Sequence, residues 1–328
     1  MQSAVLGIDV SKDRLDVCLL VSEDRHSEQF DNTTSGCKSL RQWINGHRIS
    51  HVHACLEATG TYGDRVALDL HQAGHQVSVV NPVRIKGFAL SRDLARTKTD
   101  KIDAGVIAAF CRALNPVAWT PPPPERLALR AMVRRLQTLK TVKQQERNRL
   151  SSGELCPIVR DSINQHIAFI EQQLDALQRA ILAHIRQHPC LRADFDLLKS
   201  IKGIGDQTAC VLLAEILDIH QFNTAKQLVA YAGLHPALNA SGKRQRSHTP
   251  ISKKGNGRLR AGLYMAGICA KKHNPPVRAL RERLEARGKA KKEVTVAAMA
   301  KLLRIVYGVL TSRRPFDPNF VQFQAQTP

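Results

Sequence analysis

The sequence predicts a chain of class α/β plus α, in which a mixed N-terminal domain precedes a long helical region. Apolar runs of strand length alternate with helical patterns up to about residue 114. The run Pro121–Pro124 then ends that pattern, because four prolines continue neither a helix nor a strand. Beyond it, apolar residues recur at helical spacing over long stretches. We therefore expect three domains, at residues 1–120, 121–190 and 191–328.

The N-terminal domain opens on three predicted antiparallel strands. The run Val5–Leu20 reads as two strands around a tight turn at Ser11-Lys12, and a third strand is expected over Ser27–Asn32. Strands and helices then alternate, with strands at His51–Glu57 and Gln76–Val80. Three antiparallel strands followed by such alternation are typical of a ribonuclease H-like sheet.

Four acidic residues occupy positions that elements of this kind bring together. Asp9 falls inside the first strand, where a carboxylate is costly unless a cation meets it. Glu57 ends a later strand, and Asp100 and Asp103 open a predicted helix. The two aspartates project from one helix face because they are three residues apart. Helix capping explains one of them, but four converging acids predict a site for divalent ions, with Mg²⁺ as the expected cofactor.

The charge of the chain predicts a polyanionic partner. The formal charge is +21 and the pI is about 10.1. Residues 1–114 carry 14 Lys and Arg against 13 Asp and Glu, whereas residues 241–314 carry 20 against 3. We expect the C-terminal part to bind nucleic acid, and Lys98 and Lys101, which lie beside the acids, to contact its backbone.

Two long helices are predicted after the prolines, over Glu125–Leu150 and Ser162–Gln187. They form either an antiparallel hairpin that acts as a packing spacer or an intermolecular coiled coil, which would make the protein a dimer or a tetramer. Further along, Gly203-Ile-Gly205 has the form of a helix-hairpin-helix element, whose backbone can approach a DNA phosphate. A plain turn between two helices uses the same residues, so both readings stay open.

A polar, basic segment with several glycines follows at residues 239–260. Ser241 lies in it beside a glycine and before several cations, and a serine hydroxyl that attacks a phosphodiester needs cations and a base or a metal. Ser247, Thr249 and Ser252 are rivals, and spacing alone favours a Ser-Gly turn beside a phosphate-binding patch. The residues of this patch that we expect to bind nucleic acid are Lys243, Arg244, Arg246, Lys253, Lys254, Arg258 and Arg260.

The eight cysteines include no C-x-x-C pair. This predicts neither a zinc site nor a disulfide, and it predicts a chain in the reducing cytoplasm of a bacterium. The N-terminus has no signal-peptide pattern, and we expect no apolar run to span a membrane.

Four motifs of the chain are specific in combination. They are Asp9…Glu57…Lys98-Thr-Asp100-x-x-Asp103-Ala, Ile201-x-Gly-Ile-Gly205, Gly233-Leu-x-Pro, and Ser241-Gly followed by Ser252-Lys-x-Gly-x-x-x-Leu-Arg260. Over nearly the whole chain, this series resembles the insertion sequence 110 family of transposases. These are DEDD-type serine recombinases related to the pilin-gene invertase.

The resemblance implies a RuvC-like N-terminal nuclease domain, a helical coiled-coil middle and a C-terminal transposase domain that holds the catalytic serine. It implies that Asp9, Glu57, Asp100 and Asp103 bind Mg²⁺. It also implies that Ser241 is the nucleophile and forms a covalent phosphoserine link during DNA strand exchange. A structured non-coding bridge RNA is expected to pair with donor and target DNA.

Two other functions remain open from the sequence. A RuvC-like, metal-dependent, structure-specific nuclease would use water in place of Ser241 and form no covalent intermediate. A non-catalytic nucleic-acid-binding protein would use the acids only as helix caps. If the chain is a recombinase, the long helices between its halves predict a composite site, in which the acids of one protomer face Ser241 of another.

Overall fold

The computed structural model describes residues 4–58, 60, 62–92, 100–236 and 251–319, and it leaves the side chains of residues 100–102 outside that description. Contacts within the chain define two units, Met1–Pro121 and Pro122–Pro328. The predicted nucleophile Ser241 and the cations Lys98, Lys243, Arg244 and Arg246 lie outside the described residues. The side chains of Asp100 and Lys101 do so as well.

The first unit is built on a five-stranded sheet with the order β3-β2-β1-β4-β5. Its elements in chain order are β1 (Ala4–Val10), β2 (Arg14–Val21), β3 (Asp24–Asp31), α1 (Thr34–Gly46), β4 (Val52–Glu57), α2 (Asp64–Gln72), β5 (Gln76–Val80), α3 (Pro82–Ser91) and α4 (Asp100–Leu114). The first three strands pair antiparallel, and β4 pairs parallel with both β1 and β5. The three early antiparallel strands are therefore confirmed, although the third begins at Asp24 rather than at Ser27.

Helices cover both faces of this sheet. Because side chains alternate along a strand, Leu6 and Ile8 of β1 pack with α1 and α2 on one face. Val5 of the same strand joins α3 and α4 on the other, together with Cys18 of β2 and Cys55 of β4. The second face, beneath α4, is the one that matters for the acids.

The second unit is helical throughout its described residues, apart from the isolated bridge between Pro236 and Ile251. Its elements are α5 (Pro124–Leu150), α6 (Pro157–Gln187), α7 (Pro189–Ser200), α8 (Asp206–Glu215), a short 3-10 helix (Ile219–Gln221), α9 (Ala225–Tyr231), α10 (Gly257–His273), α11 (Pro275–Ala286) and α12 (Lys291–Ser312). Helix α6 begins at Pro157 and not at the predicted Ser162. The predicted start was wrong because proline needs no backbone N–H partner in the first turn of a helix.

Helices α5 and α6 form an antiparallel hairpin. Lys143 near the end of α5 pairs with Glu171 at 2.6 Å, and His184 near the end of α6 contacts the carbonyl of Glu125 at 2.8 Å. One hydrophobic cluster runs from Leu129 in α5 to Leu310 in α12, so the long helices and the C-terminal helices share a core. The division of this region at residue 190 stays a prediction.

Helix α12 departs from one expectation. It has 22 residues, and among the described helices it is long and apolar enough to cross a membrane by length and composition. No apolar run of this length was predicted from the sequence. Half of the apolar stretch is buried against the rest of the protein, which is also what a core helix of a soluble protein shows.

Candidate active site

Helix α4 lies directly on strand β1. A Cβ atom at Gly7 would stand 2.2 Å from the carbonyl oxygen of Ala104 and 2.4 Å from the amide nitrogen of Ala108, so only glycine fits there. Asp9 lies two residues beyond Gly7 and therefore on the same face of the sheet. Asp103 immediately precedes Ala104. The close approach at Gly7 thus brings the first turn of α4 to the end of β1 that carries Asp9.

The parallel pairing of β1 and β4 places Glu57 beside Asp9 in the sheet. Strands β1 and β4 run parallel with Ile8 opposite Leu56, so Asp9 and Glu57 occupy the next position of each strand. Cys55, two residues before Glu57, packs with α4, which puts Glu57 on the α4 face as well. The carboxyl ends of two neighbouring strands therefore each carry an acid on the face that α4 covers.

The pKa of Glu57 responds to the charge of Asp103. Burial raises the pKa of Glu57, and the charge of Asp103 raises it further, while the charge of Lys86 in α3 lowers it. Asp103 itself is exposed to solvent. A carboxylate that loses hydration and faces a second carboxylate gains stability from a cation, so the environment of Glu57 fits a cation site.

The structure places the backbones of Asp9, Glu57 and Asp103 toward the same end of the sheet. The backbone of Asp100 begins α4, one turn from Asp103, but its side chain lies outside the described residues. No group of three His, Cys, Asp or Glu side chains within the described part of the chain is close enough to hold a metal ion. Carboxylate oxygens are the donors that Mg²⁺ prefers, so the chemistry of Asp9, Glu57 and Asp103 fits this ion.

One buried acid, Asp16, is not among the site residues that the sequence predicts. Asp16 of β2 stands opposite Asp9 in the antiparallel register and is 6% exposed. The signal was available: Asp16 lies within the apolar run Leu15–Leu20, which is buried throughout in β2, and a charged side chain in such a run needs a partner.

In the second unit, the residues on either side of the segment 237–250 are held together. Pro236 and Ile251 form an isolated antiparallel bridge. The amide of Ser252 donates to the carbonyl of His235 at 2.9 Å, and the amide of Asn256 donates to the carbonyl of Tyr231 at 2.6 Å. The described residues on the two sides of this stretch, Pro236 and Ile251, therefore lie side by side.

A buried ion pair supports this place. Glu215, at the end of α8, is 3% exposed and accepts two hydrogen bonds of 3.0 Å from the guanidinium of Arg134 in α5. Asn256 donates from Nδ2 to Glu215 at 2.7 Å, and its Oδ1 accepts from the amide of Leu259 at 3.0 Å, which caps α10. Through Glu215, this network links Asn256, which precedes α10, to Arg134 in the long helix α5.

The predicted helix-hairpin-helix glycines have different surroundings. Gly203 has φ +106°, and a Cβ there would stand 2.8 Å from Cβ of Ala270, so close packing on α10 accounts for this glycine. A Cβ at Gly205 would meet nothing within 4 Å. Asp206 occupies the first turn of α8 and pairs with Lys199 at 2.7 Å, so a carboxylate already lies where a phosphate would approach.

The described cations of the basic segment divide into two kinds. Lys253, Lys254 and Arg258 are exposed. Arg260 is half-buried and donates from Nη1 to the carbonyl of Ala232 at 2.8 Å, so it stabilises the fold. The first three are the ones whose charge is available to a polyanion.

Comparison with known proteins addresses both units. A family model for DEDD transposases of the IS110 type, described as a transposase, matches residues 6–153. A second model, described as the transposase IS116/IS110/IS902 family, matches residues 195–282.

Two relatives match almost the whole chain. The pilin gene-inverting protein of Moraxella bovis is 34% identical over 320 residues, which cover 97% of this chain and 98% of that protein. The protein of the same name from Moraxella lacunata is 33% identical with the same coverage. Among solved structures, T. thermophilus RuvC in complex with a Holliday junction substrate matches 36% of this chain and 99% of that chain. Its sequence identity is 15% and its TM-score is 0.27, which is too low for a structural comparison. On the family models and the full-length relatives, this chain belongs to the IS116/IS110/IS902 family of DEDD transposases.

Proposed function

We propose that this protein is an RNA-guided DNA recombinase of an insertion sequence, which cuts and rejoins DNA through a covalent phosphoserine intermediate. Asp9, Glu57, Asp100 and Asp103 hold Mg²⁺ in this proposal, and Ser241 is the nucleophile. Membership of a transposase family supports the DNA substrate. The observation that carries the metal site is the placement of Asp9 and Glu57 on adjacent parallel strands, beside the helix that begins with Asp100 and Asp103.

The chemistry divides between the two ends of the chain. A divalent ion, when bound, neutralises charge on the scissile phosphate and on the departing oxygen. The four carboxylates hold and orient that ion. The charge of Lys86 lowers the pKa of Glu57, and in the proposal Lys86 adds a cation near Glu57 that contacts the phosphate backbone.

Ser241 supplies the covalent step. Its Oγ attacks the phosphorus and loses its proton, the phosphorus–oxygen bond to the departing deoxyribose oxygen breaks, and that oxygen takes up a proton. The phosphorus still carries two ester bonds after this step, one to Ser241 and one to the remaining DNA strand. A hydroxyl of another DNA strand then attacks the same phosphorus, and Ser241 leaves with its proton restored. Rejoining therefore needs no ATP.

The exposed cations Lys253, Lys254 and Arg258 adjoin the segment that carries Ser241. In the proposal, they bind the phosphate backbone of DNA or of the guide RNA, as do Lys98, Lys101, Lys243, Arg244 and Arg246. Such contacts position a nucleic acid without reading its sequence, which agrees with a guide RNA as the source of specificity. Gly203 and Gly205 remain in the proposal as a backbone approach to DNA, although the packing of Gly203 on Ala270 already accounts for that glycine.

The decisive experiment is a denaturing gel of labelled DNA after reaction with the Ser241→Ala variant and the wild-type protein. We expect wild type to leave protein covalently attached to DNA and S241A to leave none while still binding DNA. Ser247→Ala and Ser252→Ala are matched controls from the same segment and retain the adduct. Cleavage by S241A without an adduct would instead establish the hydrolytic nuclease.

The guide RNA and the oligomer are tested separately. RNA that co-purifies with the protein should be one discrete species, and ribonuclease treatment should abolish strand exchange. Exchange that survives the treatment would remove the RNA from the proposal.

For a composite site, an Asp9→Ala chain mixed with an S241A chain should recover activity. If the mixture of these two inactive variants stays inactive, the composite site is contradicted.

A further inference from the structure

A cluster of exposed cations surrounds the turn between α11 and α12. Residues 283–292 carry five Lys and Arg against one Glu. All five cations are exposed to solvent, and none of them belongs to the basic segment at residues 239–260, from which α10 separates them in the chain. We call these five residues the turn patch: Arg283, Arg287, Lys289, Lys291 and Lys292.

The acids of this region pair with other residues for the most part. Glu282 and Glu285 of α11 both pair with Arg281, at 3.3 and 3.5 Å. Arg281 is half-buried and donates to the carbonyl of Lys271 at 3.1 Å, so it belongs to the contact of α11 with α10. Glu293 lies 3.9 Å from Lys289. Within the described part of the chain, no carboxylate forms an ion pair with the other four cations of the turn patch, so their charge is available to a partner.

The backbone of the turn is held by its own hydrogen bonds. Gly288 has φ +70°, and its amide donates to the carbonyl of Glu285 at 2.9 Å. The amide of Lys289 donates to the carbonyl of Leu284 at 3.1 Å. A left-handed glycine with such bonds is a common helix ending, and it fixes the direction in which the chain leaves α11. The cations therefore start from an ordered backbone, which reduces the conformational entropy lost when a partner binds.

Two cations of the turn patch are unfavourable for the isolated protein. Lys291 and Lys292 occupy the first turn of α12, where the helix dipole is positive. Glu293 shares this turn, but the N-cap residue Ala290 contributes no side-chain hydrogen bond. A polyanion reverses the sign of this interaction, because its phosphates attract the lysines and its condensed counterions are released. The charge of the turn patch is thus complementary to a phosphate backbone.

We infer that the turn patch binds the phosphate backbone of duplex DNA, as a second contact surface beside the basic segment at residues 239–260. Membership of a transposase family makes DNA the polyanion that this protein has to hold. Lys and Arg side chains position a duplex through its phosphates without reading its sequence. This role rests on the proposed function only for its DNA substrate, and it needs neither Ser241 nor the metal site.

The test is fluorescence anisotropy of a labelled DNA duplex of arbitrary sequence, titrated with the full-length protein in EDTA at several salt concentrations. The variant combines Arg287→Gln, Lys291→Gln and Lys292→Gln. Each lost phosphate contact lowers the slope of log affinity against log salt by about 0.9, so we expect a slope smaller by about 2.7. At a salt concentration of about 0.1 M, the same relation predicts an affinity about eightfold lower per lost contact.

Two control proteins separate the turn patch from the overall charge. The first removes three exposed cations elsewhere in the second unit by Arg179→Gln, Arg186→Gln and Lys226→Gln, and we expect it to keep the wild-type slope. An equal loss of slope in this control overturns the inference, because total charge would then set the binding. The second control keeps every charge by Arg287→Lys, Lys291→Arg and Lys292→Arg, and it should bind as wild type does.

Stability distinguishes a merely structural role. Removing lysines from the first turn of α12 relieves an unfavourable interaction with the helix dipole, so the urea midpoint of the triple glutamine variant should equal or exceed that of wild type. A lowered midpoint with an unchanged slope overturns the inference. Should this variant not fold, Arg287→Gln alone is expected to lower the slope by about 0.9, and an unchanged slope overturns the inference.

The same titrations distinguish failure of the turn patch from failure of the proposed function. If wild type does not bind duplex DNA, the DNA substrate of the proposed function is wrong. If wild type binds and the triple glutamine variant keeps its slope, only the role of the turn patch is wrong. If the variant loses affinity for a structured RNA but keeps its slope on duplex DNA, the surface binds RNA and the inference is overturned.

Discussion

Replacing the buried Glu215 by glutamine should destabilise the second unit measurably. The Glu215 side chain is 1% exposed, and that of Arg134 is 30% exposed. Glutamine retains one oxygen acceptor but turns an NH₂ group toward the donors of Arg134 or Asn256. Breaking a buried ion pair by changing one partner costs about 3–5 kcal/mol. Because Arg134 keeps part of its hydration, we expect the lower end, about 3 kcal/mol.

Urea denaturation monitored by far-UV circular dichroism measures this cost. With a slope of about 2 kcal/mol/M, the midpoint of the second unit should fall by about 1.5 M. The matched control is Glu171→Gln, which removes an exposed carboxylate paired with Lys143 on the same helical hairpin, and it should leave the midpoint unchanged. An unchanged midpoint in E215Q would refute the reasoning, since a buried carboxylate with three donors would then contribute nothing.

The pH dependence of the same variant provides an independent check. Burial by itself raises the pKa of Glu215, but hydrogen bonds from Arg134 and Asn256 and the charges of Arg134 and Arg258 bring the net pKa below its ordinary value. A depressed folded-state pKa contributes stability above the unfolded-state pKa, and that stability is lost as the pH falls through the folded-state pKa. Wild type should therefore lose stability in acid more steeply than E215Q. If wild type and E215Q lost stability in parallel as the pH fell, the depressed pKa of Glu215 would be contradicted.

Two further predictions concern Gly203 and Glu57. Gly203→Ala should destabilise the second unit by about 3 kcal/mol, because φ is +106° and the new methyl group meets Ala270. Gly205→Ala, which meets nothing within 4 Å, is its control in the same urea titration. For Glu57, burial raises the pKa above 4.5, so the stability from this group is present in acid and is lost as the pH rises through the raised pKa. In EDTA, thermal unfolding of Glu57→Gln should lack that loss, and an identical pH profile would contradict the raised pKa.

Local patterns were enough to predict most of the elements and the placement of two acids. Short apolar runs mark β1 and β4 as strands, and an acid at the end of each strand already suggests a shared edge. The proline run at residues 121–124 coincides with the boundary between the two units, because proline ends regular structure whatever surrounds it. The start of α6 was misplaced because Pro157 was taken as an interruption, although proline fits the first turn of a helix.

What the chain determined by itself is the order and type of its elements and the family to which it belongs. Both follow from local periodicity and from motifs that survive without knowledge of contacts. Only the tertiary structure decided that Asp16 lies opposite Asp9 and that Gly7 lets α4 approach β1. It alone decided that Glu215 links Arg134 in α5 to Asn256 at the start of α10. These are contacts between residues far apart in sequence, set by strand register and by packing of side chains, and no local pattern encodes them.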